Sequence, residues 1–147
     1  MIQVLEAVAA DQIQAGEVVQ PPGSLDAIKL VRDNLRKAFD ATLPPDVAAF
    51  LTKTNGLDYN GLVIYGCSQS PERPGPGGFW QGLIEANRLW RDGSVSAFLI
   101  IGETDMDLLT VDLTGRDATL RDKVSHDVNE RFDTVSGMIE TVLKRRL

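Results

Sequence analysis

Glu103, Asp105 and Asp107 stand at alternate positions in "GETDMD", the one stretch of this chain whose residue types could hold a hard metal ion. Calcium takes about six to eight oxygen ligands, and an EF-hand loop adds a mid-loop glycine and a distal glutamate. Three carboxylates fall short of that set, and the run has neither addition. These acids read as side chains of a solvated hairpin turn, and no metal is expected.

The chain has a single cysteine, Cys67, and a single histidine, His126. Together they could form a nucleophile and a base, but nothing flanking either residue supports that pairing. Ser125 and Asp127 adjoin His126 in sequence, whereas a catalytic triad is assembled from separated positions. The loop "GCSQSPERPGPGG" contains glycines but no lysine, and Pro74 and Pro76 remove amide donors that a phosphate cradle requires. No catalytic residue and no cofactor follow from these patterns.

Binding chemistry is better represented. Three prolines and four glycines among residues 66–78 mark an irregular, semi-rigid surface loop, and long loops in compact domains often carry function. Glu72 and Arg73 lie within it and Trp80 just beyond. A tryptophan buries a large area at small entropic cost, so Trp80 is a contact anchor if it is not a core residue. The candidate protein-binding residues are therefore Trp80, Glu72, Arg73, Asp105 and Asp107.

The elements that must position these residues follow from periodicity. In residues 2–16, Ile2, Leu5, Val8 and Ala9 share a helical face, and Gly16 marks a stop. Pro21 and Pro22 then form a rigid connector. Ser24 caps a second helix, with Asp26 in its first turn, and Leu25, Ile28, Val31, Leu35 and Phe39 face inward. The basic residues Lys29, Arg32, Arg36 and Lys37 supply the solvent face that such a helix needs. A short helix begins at Pro44-Pro45, buries Val47, Phe50 and Leu51, and ends at Asn55-Gly56, a pair suited to left-handed closing torsions. Asn60-Gly61 is read as a turn admitting the chain into the strand "LVIY".

Farther on, Phe79, Leu83, Ala86 and Trp90 form a helical stripe. "VSAFLIIGE" reads as a central strand buried on both faces. "DLLTVDL" alternates, with Leu109, Val111 and Leu113 inward and Thr110 and Asp112 outward, as in a sheet with one wet face. "DATLRDKV" returns as a further strand. Val135, Met138, Ile139, Val142 and Leu143 form the inner face of a last helix, whose basic "KRR" end complements its dipole.

The segment "LPPDVAAFLTKTNGLDYNGLVIYG" resembles the signature region of the SUKH superfamily, named from a fungal cell-wall assembly regulator and bacterial toxin-immunity proteins. Leu43, Pro44, Phe50, Leu51, Asn55, Gly56 and Leu62 carry the likeness. The likeness extends to "PPGSLDAIKLV", to "FLIIGETDMDLLTVDL" through Phe98, Ile101, Gly102, Asp105, Asp107 and Asp112, and to the final "FDTVSGMIETVL". At the β-turn the chain has Met106 where many relatives are richer in glycine. The resemblance implies an α+β domain, with a mainly antiparallel sheet and helices packed against it. It also implies a non-enzymatic protein-binding module, such as an immunity protein that neutralises a cognate toxin by direct binding. A regulatory or structural adaptor, and an enzyme with an unrecognised carboxylate or metal site, remain alternatives.

Composition bounds these readings. The chain has 147 residues, enough for one self-sufficient domain, with residues 1–20 as an N-terminal helix and connector and 21–147 as the core. Its 43% hydrophobic and 24% charged residues are ordinary for a globular protein. The net charge of -6 opposes nucleic-acid binding by counterion release, so the expected partner is a protein. No apolar run approaches the roughly 18 residues needed to span a bilayer, and no basic residue precedes Lys29, so a cytoplasmic protein with no membrane partner is expected. The oligomeric state is not legible in the sequence.

Overall fold

A computed structural model describes residues 1–68, 81–91 and 97–147. Among the described residues, five helices and a six-stranded antiparallel sheet make an α+β fold. The helices are α1 (Ile2–Gln14), α2 (Leu25–Phe39), α3 (Pro45–Leu51), α4 (Leu83–Trp90) and α5 (Val135–Arg146). The strands are β1 (Leu57–Tyr59), β2 (Leu62–Ile64), β3 (Phe98–Glu103), β4 (Asp107–Asp112), β5 (Thr119–Asp122) and β6 (Val128–Arg131). They lie in the sheet in chain order, so the sheet is a meander. α5 packs on β2 and touches α1 and α3, whereas α4 packs on β3 and touches α2.

Local chemistry explains the element ends. Ser24 Oγ accepts the Ala27 amide at 3.1 Å, the N-cap expected for α2. Thr134 Oγ1 accepts the Gly137 amide at 2.9 Å and starts α5 in the same way. Asn60 and Gly61 have φ of 47° and 80°, the paired left-handed torsions of a type I′ hairpin turn, and they join β1 to β2 with Tyr59 opposite Leu62. The strand before the turn is three residues long, too short for alternation to be read from sequence. Asn55-Gly56 does not cap α3 as expected. The helix ends at Thr52 in right-handed torsion, and Gly56, at φ 82°, instead turns the chain into β1. Asn55 Oδ1 accepts the Cys67 amide at 2.8 Å, tying this bend to the chain beyond β2.

Burial revises several expected faces. In α1 the buried residues are Val4, Val8 and Gln12, while Ile2 is 56% exposed. The apolar set of α1 spans more than one face, and packing against α5 selects the Val4–Val8 side. Leu25 of α2 is 77% exposed, because the helix turns in toward the core only from Ile28 onward. β4 has no wet face: Leu108, Leu109, Thr110 and Val111 are all buried, and Leu113 is half-buried. β4 runs between β3 and β5, and both of its faces are covered. The double burial expected for β3 is observed, and α5 buries all five residues assigned to its inner face. Each fully buried aliphatic side chain contributes about 1.5–3 kcal/mol, so these two elements supply much of the core.

Beside the bulge that β3 makes against β4, the backbones of β2 and β3 come close. A Cβ on Gly102 would lie 2.6 Å from the Val63 carbonyl oxygen, so only glycine fits. Among the described residues no helix is long and apolar enough to cross a membrane.

Candidate functional site

The expected contact residues Trp80, Glu72 and Arg73 lie outside the described residues. Asp105 and Asp107 lie in and beside the β3–β4 turn, at one end of the molecule. Thr104 Oγ1 accepts the amides of Met106 and Asp107 at 3.3 and 3.1 Å, which holds this turn in shape. The β1–β2 turn lies beside it: a Cβ at Gly61 would come within 3.1 Å of Asp105 Oδ1 and 3.4 Å of Arg146 Nη1. Asn60 and Arg146 exchange hydrogen bonds, Asn60 Nδ2 to the Arg146 carbonyl at 3.0 Å and Arg146 Nη1 to the Asn60 carbonyl at 3.2 Å. The basic end of α5 therefore does more than complement the helix dipole; it fastens the helix to the hairpin. Arg145 adds a bidentate pair to Glu130 of β6 at 2.8 and 2.9 Å, which holds the Glu130 carboxyl below its usual range.

Apolar side chains project from this braced end. Met106 is 70% and Val124 is 92% exposed, and the Lys123 amide donates to the Met106 carbonyl at 2.9 Å, so their two turns are directly joined. The carboxylates are dispersed rather than convergent. Asp105 is exposed, Asp107 Oδ1 accepts Asn129 Nδ2 at 2.8 Å, and Glu103 accepts the Tyr65 hydroxyl at 3.0 Å with Lys123 Nζ 3.7 Å away. Among the described residues, no three His, Cys, Asp or Glu side chains gather in a way that could hold a metal.

Cys67 and His126 occupy different settings. Cys67 is half-buried near Asn55, and burial pushes its thiol pKa up, away from the reactive thiolate. His126 stands edge-on to Phe98, with ring centres 6.0 Å apart, in a β5–β6 turn whose Val124 and Ser125 amides both donate to Asp122 Oδ1 at 2.8 Å.

The sheet interior uses its polar groups structurally. The Tyr65 amide still donates to the Ile101 carbonyl of β3 at 3.0 Å, but beyond it the chain turns away, and Gly66 bonds to Gln81 and Leu83 instead of continuing along β3. The uncovered edge of β3 is met by α4. Asn87, fully buried, accepts the Ile100 amide at 2.9 Å and donates to the Ile100 carbonyl at 2.8 Å, taking the place of a strand residue. One turn on, Arg91 Nη1 donates to the Phe98 carbonyl at 3.3 Å. Across the sheet, the buried hydroxyls of Thr110 and Thr119 are 2.6 Å apart. Tyr65 is fully buried, and burial first, then the Glu103 charge, drive its pKa upward. Tyr59 donates to Asp11 at 2.6 Å, and burial, that bond and the charges of Asp11 and Glu17 push its pKa up to about 12.

The other side of α4 forms a groove with α2. Two adjoining depressions of about 680 and 700 Å³ share Lys37, Ala38 and Arg88. Leu30, Val31 and Ile84 line the first, and Phe39, Asp40 and Arg91 the second. The Arg91 guanidinium stacks 4.5 Å above the Phe39 ring. Glu85, which lines the first depression with Cys67, has one carboxylate oxygen shielded from water with no hydrogen-bond donor among the described residues. The exposure expected for Lys29, Arg32, Arg36 and Lys37 is observed. The groove itself was not legible: the helical pattern of α2 reports its own inner face, and no spacing says that Arg88 will lie beside Lys37.

No protein-family model matches this chain, and no curated protein shows significant similarity to it.

Proposed function

We propose that this chain is a non-enzymatic protein-binding module that acts as an immunity protein, neutralising a toxin by direct contact. The reading rests on the likeness of its Leu43–Gly66 segment to the SUKH superfamily. The observation that carries it is the braced end of the molecule. Met106 and Val124 are held in water beside Asp105 by turns hydrogen-bonded to each other, next to a β1–β2 turn that is hydrogen-bonded to α5. Holding apolar groups in water costs free energy that a partner surface recovers on contact, and a rigid platform lowers the entropy lost on binding. An acidic rim steers a basic partner. Trp80 and the residues around Glu72 and Arg73 extend the same expectation from sequence.

The test is co-expression of the chain with the product of the neighbouring gene, scored by co-purification and by rescue of growth. Trp80→Ala combined with Asp105→Lys and Asp107→Lys is expected to abolish both. Binding that persists in this variant refutes the surface. A neighbouring product that is harmless and does not co-purify refutes the immunity role.

A further inference from the structure

We infer that the α2–α4 groove is a second docking surface, which takes an acidic, aliphatic segment of a protein partner. The inference rests on the protein-binding reading and assigns it a chemical class of ligand. In a chain of net charge -6, the end of the groove shared by its two depressions places Lys37 and Arg88 together, with Arg91 beside them. Among the described residues, neither Lys37 nor Arg88 has an ion-pair partner, nor do Lys29 and Arg32 on the outer face of α2. Arg36 pairs with Asp40, the acid that lines the second depression among the described residues, at 3.5 Å.

The lining decides which anion fits. Leu30, 60% exposed, lies with Val31 and Ile84 along the apolar wall of the first depression. A nucleic-acid backbone has nothing to place against leucine, and the molecule's net charge repels it. A peptide with carboxylates on one side and leucine-like side chains on the other satisfies both features, as amphipathic segments do in helix-lined grooves. Glu85 sets the limit of the acidic footprint. It lines the first depression and not the second, so the ligand's acids are confined to the second, where Arg91 joins Lys37 and Arg88. α2 has 15 residues, a length of about 22 Å at 1.5 Å per residue, so a segment of four helical turns spans the groove.

The probe is a labelled synthetic peptide of alternating Glu-Glu and Leu-Leu blocks, with that length. Its binding is read by fluorescence anisotropy and mapped by amide chemical shifts in the isotope-labelled protein. Saturable binding with shifts concentrated in α2 and α4 is expected. Lys37→Glu with Arg88→Glu should weaken it about tenfold or more, since each exposed charge contact contributes about 0.2–1 kcal/mol and reversal adds repulsion. The Asp105→Lys, Asp107→Lys variant should bind the peptide as the parent does. Failure of the parent to bind, unchanged binding by the charge-reversed groove, or tighter binding of an oligothymidine through the same residues overturns the inference. Each leaves the hairpin-end surface to its own co-purification test, so the two failures are separable.

Discussion

The two sides of α4 treat polar groups in opposite ways. Toward the sheet, Asn87 satisfies both backbone groups of Ile100 at 2.8–2.9 Å, and further along the sheet Thr110 and Thr119 satisfy one another. Toward α2, Lys37 and Arg88 stand at the rim of an open groove with no ion-pair partner among the described residues. The difference follows from dielectric. An unpaired polar group costs much where water cannot reach it and little where it can. Residues facing β3 are therefore constrained by folding, while those facing the groove are free to be selected for what they contact.

The largest effect that could break this contrast is at Asn87. Replacement by alanine strands the amide and carbonyl of Ile100 at a covered edge and opens a cavity, and should lower stability by about 3 kcal/mol in urea unfolding. A loss below about 1 kcal/mol would mean that water reaches this edge, and the contrast would fail. Next is the alkaline limb. Tyr59 and Tyr65 keep their protons in the fold above the ordinary tyrosine value of 10.0, where the unfolded chain gives them up. The unfolded state then binds fewer protons, so stability is full below pH about 10 and falls as pH rises through the raised Tyr59 value near 12. Urea midpoints at increasing pH should fall over this window, and less steeply in Tyr59→Phe.

Thr110→Val should cost about 1–2 kcal/mol by leaving the Thr119 hydroxyl without its buried partner. The double variant with Thr119→Val should cost no more than the single one, and a double-mutant cycle in urea reads the coupling. The smallest effect is predicted for Lys37→Glu with Arg88→Glu. Its stability should stay within about 0.5 kcal/mol of the parent, because exposed, unpaired charges carry little folding energy. A larger loss would show that the groove cations serve the fold after all.

Legibility followed the range of the physics involved. Ser24 and Pro45 announced helix starts because caps and first turns are contacts between near neighbours. α5 and β3 were read correctly, since an apolar stripe or an unbroken apolar run reports burial directly. Thr110 was misassigned because alternation assumes one wet face, and that assumption fails once a strand is central and covered on both sides. Leu25 was misassigned because a helical stripe gives direction but does not say where along its length packing begins. For the candidate sites, Asp105 and Asp107 were correctly set at a hairpin turn, but the two apolar tips beside them, Met106 and Val124, become neighbours only through pairing of separate turns.

By itself, then, the order of residues determined the helix starts at Ser24 and Pro45, the hairpin torsions at Asn60-Gly61 and the periods of the helices and strands, all set by interactions within a few residues. Tertiary structure alone decided that Asn87 would stand in for a strand beside Ile100, that Arg146 would clasp the β1–β2 turn, and that Lys37 would meet Arg88 across a groove. These contacts join residues that no local pattern relates, and they exist because packing of the apolar faces brings their elements together.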